Sequence, residues 1–453
     1  MNINKNDELE VQISAMTNEG QGVARIDGFT VFVANTAVGD VANIKIIKIL
    51  PNYAIGKLLD IVSPSSFRQD AQCKDYIRCG GCNLRHIKYE NELTIKQGFV
   101  KDSFERIAKI NAPCREIIPS SIQNGYRNKA QFPVGKDING NIIFGFFAKR
   151  SHVIIPLDSC LLQPDEFTKI AQDILQFIKQ NKISVYDPIT QKGTLRHIYI
   201  RKAQLTNEIM VCLVCAKEKI FNIDKLCTSL TQKYSNIKSI VVNVNLTTGN
   251  AILGKKCITV FGNDYITDVL CGITVHISAQ SFYQINHDQA ENLYNKAIEY
   301  ACLDDTKTLV DMYCGIGTIG LACANKVKKV IGIEIIPDAI ENAKANAKLN
   351  NITNATFICD DAKNAANDLV NSGENVNVII VDPPRKGCDS DVIASIVKLS
   401  PERIVMVSCN SATAARDCAI LEQNNYKVTE YTPLDMFPRT THVECVIALQ
   451  RVE

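Results

Sequence analysis

Short apolar runs at close spacing open the chain. Hydrophobic residues gather at 10–14, 23–26, 30–33, 40–49 and 54–61, and Gly20, Gly22, Gly28, Gly39 and Pro51 interrupt them. Runs of this length bounded by turn residues predict strands. Five of them within residues 1–62 fit a small β-barrel of the OB or a related class, a frequent single-stranded nucleic-acid scaffold. Residues 88 to about 110 switch to a helical period, with Leu93, Ile95, Phe99, Phe104, Ile107 and Ile110 apolar and no proline between them. From 126 to about 274 the pattern mixes strands and helices. The last third alternates regularly: a strand at 308–311, a glycine-rich turn CGIGTIG from Cys314 to Gly320, a helix to about Ala324, and a strand at 330–333 that ends at Glu334. A further apolar run at 404–407 is broken by Ser408, Cys409 and Asn410 before a helix-compatible segment beginning near Thr413. Such alternation predicts a doubly wound α/β domain.

In an open α/β sheet the ligand crevice lies outside the carboxyl ends of the strands. Cys409 falls at one such end, and the preceding strand ends in DPPR, Asp382 to Arg385. A buried structural cysteine is the competing reading; the company of DPPR and the glycine turn argues for chemistry. A GxGxxG turn is shared by nicotinamide enzymes and S-adenosylmethionine-dependent methyltransferases, and a carboxylate after the second strand, here Glu334, can accept hydrogen bonds from ribose hydroxyls. Asp311 ahead of the turn gives the DxxxGxG arrangement common in methyltransferases, and the DPPR loop resembles the fourth-strand loop of methyltransferases acting on nucleic-acid bases.

Composition narrows the setting. A chain of 453 residues with 46% hydrophobic content and mean hydropathy −0.02 is expected to form two or three ordinary globular domains. No apolar run has membrane-spanning length and MNINKNDELE lacks signal-peptide character, so a cytoplasmic location without membrane partners is expected. In a reducing compartment the 18 cysteines are not a disulfide framework. Cys73, Cys79 and Cys82 lie within ten residues, with Gly80 and Gly81 free to wrap a ligand. A CxxC alone reads as a redox pair, a zinc half-site or chance, but a third thiol favours metal ligation, and zinc and iron-sulfur sites both call for a fourth soft ligand. The net charge of +2 hides a local surplus: residues 68–150 hold 15 Lys+Arg against 8 Asp+Glu. Arg127, Lys129, Lys149, Arg150, Arg196, Arg201 and Lys202 alternate with Tyr126, Phe132, Phe146, Phe147 and Tyr199, a pattern open to two readings, a base-stacking RNA surface or ordinary core. His152 and His197 read as structural.

Carbon methylation of a pyrimidine needs a protein nucleophile, because C5 is inert until something adds at C6; amino-group methylation needs none. A thiolate performs that addition, and a base later removes the C5 proton so that the thiol leaves. Cys409 is available as the nucleophile. In FPRTTHVECV, Glu444 sits in an apolar run where desolvation would raise its pKa, the alternative being a salt-bridged structural carboxylate.

These motifs carry a resemblance. NEGQGVARIDGFTVFV is similar to the TRAM domain of RNA-modifying enzymes. With the cysteine group, SFYQIN, DMYCGIGTIG, DPPRKG, SCNSATAARD and LDMFPRTTHVECV, the chain resembles the RNA (uracil-5-)-methyltransferases nearly end to end. The resemblance implies a Rossmann-like methyltransferase domain over 276–453, a TRAM-like RNA-binding barrel over 1–62, and a mixed α+β central domain over 63–275, whose helical part near 88–116 is expected on the catalytic domain. It implies Cys409 as nucleophile and Glu444 as base, with Gln284, Tyr313, Thr318, Glu334, Asp361 and Asp382 contacting S-adenosyl-L-methionine. It further implies Cys73, Cys79, Cys82 and Cys160 as ligands of a [4Fe-4S] cluster, in the branch whose members modify 23S ribosomal RNA. The substrate is then an RNA loop with an extruded uridine, and no obligate protein partner is evident. Transfer RNA is the alternative substrate; an amino-methyltransferase, which would leave Cys409 and Glu444 idle, and a non-catalytic RNA-binding protein are the other classes. The chain departs from the family at Ser411 (usually proline), Ala414 (usually leucine) and Thr318 (asparagine in some relatives).

Overall fold

The computed structural model describes residues 3–452. Strands β1 (Glu8–Met16), β2 (Gln21–Ile26), β3 (Phe29–Ala34), β4 (Val41–Ile49) and β5 (Tyr53–Ser63) close into a barrel in the order β1-β2-β3-β5-β4. Their alternate residues, among them Val11, Ile13, Val31, Val33, Ile44 and Ile46, fill its interior, as the period of two requires. Buried Asp40 anchors the barrel to the next segment by accepting from Arg68 Nη2 at 2.7 Å and from the Ser65 N–H at 3.0 Å.

Helix α1 (Tyr89–Asp102) continues into a π-helical turn, Ser103–Ala108. The wider turn rotates the faces that follow. Val100 and Phe104 are fully buried, whereas Ile107, which a continuous α-period would bury, is 56% exposed. The buried face lies in the core of the carboxyl-terminal domain, with Phe104 stacked on Tyr431 at 4.2 Å.

The central sheet comprises β6 (Lys129–Lys136), β7 (Ile142–Phe147), β8 (Ile154–Pro156), β9 (Leu195–Lys202), β10 (Ile209–Cys215), β11 (Ile237–Val244) and β12 (Lys256–Gly262), in the order β12-β11-β10-β9-β6-β7-β8. Helices α2 (Asp165–Gln180) and α3 (Ile223–Lys233) cover one face through Phe167, Ile170, Ile174, Leu226 and Leu230. On the other face Tyr199, Met210, Cys212 and Val214 join the core shared with the hairpin β13 (Tyr265–Leu270) and β14 (Ile273–Ser278). The domain limit expected at 275 falls inside β14, whose Thr274 and His276 N–H groups donate to Asn350 and Asn346 of the last domain.

That domain runs α4 (His287–Ala301), β15 (Thr308–Met312), α5 (Thr318–Cys323), β16 (Lys329–Glu334), α6 (Pro337–Leu349), β17 (Ala355–Cys359), α7 (Ala362–Asn371), β18 (Val378–Val381), α8 (Ser390–Leu399), β19 (Arg403–Ser408), α9 (Ser411–Glu422), β20 (Tyr426–Leu434) and β21 (Glu444–Arg451). The sheet order is β17-β16-β15-β18-β19-β21-β20, with β21 antiparallel to both neighbours and the first five strands parallel. The connection reverses between β15 and β18, which opens a crevice above their carboxyl ends. Helix α9 starts two residues earlier than its apolar pattern suggests, because Asn410 caps it by accepting from the Ala412 N–H at 3.2 Å.

Candidate active site

The parallel strands deliver the site residues to one edge. Tyr313 follows β15, Glu334 ends β16, Asp382 follows β18 and Cys409 follows β19. Glu444 reaches the same edge by the opposite route. Because β21 is antiparallel, its first residue stands where its parallel neighbours end, and the pairing of Ser408 with Cys445 places Cys409 opposite Glu444 one step further on. Side-chain alternation makes this register decisive: a slip of one residue would turn the carboxylate to the other face.

Neither group is at rest in its reactive form. Burial, then the nearby Glu444 and Asp382 carboxylates, push the Cys409 thiol up to about 11, with Arg385 opposing them. Burial and Asp382 push Glu444 up to about 8, again against Arg385, and burial alone takes Asp382 to about 7. Glu444 is 4% exposed, and among the described residues its carboxylate makes no hydrogen bond. Such a group is free to take up a proton. Arg385, which closes the DPPR motif, is the cation whose charge opposes both shifts.

The glycine turn is braced from below. Asp311 accepts from the Gly320 N–H at 2.8 Å, and its other oxygen is buried without a partner. A Cβ at Gly320 would lie 2.9 Å from the same carboxylate. Glu334 accepts from the Gly315 and Ile336 N–H groups at 3.2 and 3.0 Å. Above Gly315, at φ +55°, nothing lies within 4 Å of a built Cβ, so the turn faces open space. Thr318 is buried with its hydroxyl 3.5 Å from that of Tyr294, and Asp361 caps α7 through the Lys363 N–H. Gln284 is buried just ahead of α4, its carbonyl accepting from Asn128 of the central domain at 2.8 Å. Beside it Phe282 is 68% exposed. At the departure position Ser411, the hydroxyl lies 2.9 Å from that of Ser103 in the π-helical turn.

Cys73, Cys79, Cys82 and Cys160 line one cavity of about 100 Å³ together with Arg85, Arg127, Phe146, Ile155 and Leu162. None is in a disulfide, and Arg85 Nη2 is buried without a partner. Among the described residues no three His, Cys, Asp or Glu side chains converge closely enough to hold a single metal ion. The loop that carries three of these thiols touches every domain. His86 Nε2 lies 3.0 Å from Thr36 O of the barrel, the Gly80 N–H donates to Phe147 O of the central sheet at 3.3 Å, and the Asn83 and Leu84 N–H groups donate to Arg439 O of the last domain at 3.0 and 3.1 Å.

Arg127, which lines the cysteine cavity, and Lys129, at the start of β6, have no carboxylate partner among the described residues. Burial, then Arg201 and Arg127, lower the Lys129 ammonium to about 8. His152 is edge-on to Phe147, and burial lowers His197 to about 4, so the latter stays neutral in the sheet. No helix among the described residues is long and apolar enough to cross a membrane.

Comparison with known proteins identifies the family and the fold. Residues 88–452 match the tRNA (Uracil-5-)-methyltransferase family and residues 4–59 the TRAM domain. A Bacillus cereus (strain ATCC 10987 / NRS 248) protein described as an uncharacterized RNA methyltransferase is 42% identical over 452 residues, covering 100% of this chain and 98% of the relative. A Clostridium tetani protein of the same description is 40% identical over 447 residues, 99% and 97% of the two chains. Among solved structures, the Pyrococcus abyssi tRNA (uracil-54, C5)-methyltransferase in complex with S-adenosyl-L-homocysteine superposes with a TM-score of 0.78 at 26% identity, covering 97% of this chain and all of the other. With residues 88–452 matching the family's model and the amino-terminal barrel matching the TRAM domain, the chain belongs to the tRNA (uracil-5-)-methyltransferase family.

Proposed function

We propose that the protein methylates C5 of a specific uridine in RNA, with S-adenosyl-L-methionine as donor and 23S ribosomal RNA as the substrate class. The observation that carries the chemistry is the cross-strand placement of Cys409 and Glu444. The Cys409 thiolate adds to C6 and the electron pair moves to C5, which takes the methyl group. Glu444 then removes the C5 proton, the C5–C6 double bond re-forms and the thiolate departs. An amino-methyltransferase would have no use for either side chain. The donor supplies the electrophilic methyl group; Glu334, Tyr313, Thr318, Asp361, Asp382 and Gln284 would contact it, and the open space above Gly315 fits a ligand pressed close to the backbone. A thiol at about 11 and a carboxyl at about 8 describe the free site, in which Arg385 is the group able to favour the thiolate.

A uridine stacked in RNA hides C5, so the base must be extruded at a cost of a few kcal/mol. Phe282 is exposed beside Gln284, and Phe147 lies next to Lys149 and Arg150, platforms of the kind that return about 1–3 kcal/mol per stacked base. Lys129, which has no carboxylate partner among the described residues, supplies charge for phosphates.

The four-cysteine cavity fits a [4Fe-4S] cluster better than a zinc ion, since the thiols surround a space rather than converge on a point, and the guanidiniums of Arg85 and Arg127 would offset an anionic cluster. Methyl transfer is redox-neutral, so the group's contribution is to tie the Cys73–Cys82 loop to Cys160. Cys82→Ser is expected to lower RNA affinity and melting temperature while leaving donor affinity within about twofold, as read by equilibrium binding of RNA and of S-adenosylhomocysteine. A loss confined to donor binding would count against the tie.

The 23S assignment rests on the four-cysteine group; the barrel does not discriminate, because the transfer-RNA enzyme of Pyrococcus abyssi superposes over 97% of this chain. Mapping 5-methyluridine in ribosomal and transfer RNA from cells with and without the protein decides it: a site missing only from transfer RNA would select the other substrate.

A further inference from the structure

The segment joining β20 to β21, residues 435–443, ends immediately before Glu444, and groups from outside the sheet hold it. Asp435 Oδ1 accepts from Lys96 Nζ at 2.6 Å and Oδ2 from the Tyr89 hydroxyl at 2.7 Å. Lys96 Nζ also donates to Glu92 Oε1 at 2.8 Å and to Phe437 O at 3.1 Å. The Arg439 N–H donates to Glu92 Oε1 at 2.7 Å, and its guanidinium Nη1 donates to Ile87 O at 3.1 Å and to Glu92 Oε2 at 3.5 Å. Glu92, Lys96 and Asp435 are 0% exposed and Arg439 is 7% exposed. Two carboxylates and two cations are thus buried together, and six of these seven bonds cross more than 330 residues of chain.

Buried ion pairs seldom add net stability over well-packed apolar side chains, because desolvation consumes the Coulombic gain; what they enforce is one geometry. The geometry enforced here is a demanding one. Arg439 sits at φ +70°, a left-handed conformation unfavourable for a residue with a side chain. Glu444 follows five residues on; the register of β21 sets its face, and because its carboxylate has no hydrogen-bond partner among the described residues, the path of this segment into the strand is what is left to set its direction.

We propose that Glu92 and Lys96 of α1 are positioning residues for Glu444, acting through Asp435 and Arg439 to set the direction of the base toward the C5 proton. The inference rests on the covalent mechanism proposed above and adds residues to its final step. Misdirecting the base leaves thiolate addition and methylation intact but stalls proton removal, so the methylated covalent intermediate persists.

The double variant Glu92→Gln/Lys96→Met removes one charge of each sign and leaves Asp435 and Arg439 balanced. With uridine RNA and donor, it is expected to accumulate at least about tenfold more covalent protein–RNA complex than the unaltered protein, resolved by denaturing gel and mass spectrometry. Trapping on 5-fluorouridine RNA should stay within about twofold, and kcat should fall with KM for RNA unchanged. Proportional loss of adduct formation and turnover, or turnover at the unaltered rate, would overturn the inference. Tyr89→Phe, which removes the hydroxyl that donates to Asp435 and accepts from the Ser120 N–H at 2.7 Å, carries the same comparison if the double variant does not fold. The underlying mechanism is checked separately: it fails if the unaltered protein is not trapped by 5-fluorouridine RNA or if Glu444→Gln accumulates no complex.

Discussion

Replacing Cys409 by alanine is expected to abolish methyl transfer, by on the order of 10⁴-fold or more, and to eliminate the covalent complex with 5-fluorouridine RNA. The cause is electronic. Without a sulfur adding at C6, C5 has no electron pair to offer, and no other thiol stands at the carboxyl edge opposite Glu444 among the described residues. Cys445 lies one residue away but is fully buried on the opposite face of β21, in the core with Cys418 and Val443. The side chain lost is small and half-exposed, so the fold and RNA affinity should persist. Single-turnover transfer of labelled methyl and gel detection of the trapped complex read the two effects. Retained turnover would remove the covalent mechanism altogether.

Glu444→Gln should separate the steps that Cys409→Ala removes together. Trapping persists, turnover falls by about 10²–10⁴-fold, and complex builds up on ordinary uridine RNA. The same variant has a stability signature of defined sign. Burial and the Asp382 charge hold the Glu444 pKa near 8, above the ordinary carboxyl value of 4.5, so the folded protein binds this proton more tightly than the unfolded chain. The stability from that preference is complete below about pH 4.5 and is lost as the pH climbs through 8. Glutamine has no such proton to lose. The variant should therefore melt above the parent protein, with a gap that widens from pH 5 to pH 8 and reaches on the order of 4 kcal/mol. Methylation by the unaltered protein should rise over the same range as the base ionises. A gap that stayed constant or narrowed with pH would show that Glu444 is already ionised in the folded state.

Much of this site was legible in the sequence because its parts are local. Glycines and Pro51 mark the barrel turns, and the observed strands differ from the apolar runs mainly by a residue or two at their ends. Cys409 lies at a strand's carboxyl end, where its apolar run stops. What could not be read was non-local. Nothing in FPRTTHVECV states that its strand inserts antiparallel between β19 and β20, which brings Glu444 opposite Cys409. The π-helical turn adds a phase shift that no periodicity count contains, so Ile107 reads as core and lies outside it. Glu92 and Lys96, four residues apart on a helix, have the spacing of a solvent-exposed pair, yet both are wholly buried because their partners come from residues 435–439. Cys160 lies 78 positions beyond Cys82, too far for any spacing rule to join them.

The long reach of α1 bears on how the polypeptide can be divided and made. Val100, Phe104, Ile110 and Ile117 belong to the same core as Tyr431, Val443 and Ile447, so this greasy surface emerges from the ribosome more than 300 residues ahead of the strands that cover it. During translation it must be shielded by other means, and excising residues 276–453 as a fragment would expose the matching socket. Such a fragment should aggregate, whereas one that keeps residues 88–118 as a separate peptide or fusion should recover solubility, a difference that size-exclusion chromatography resolves.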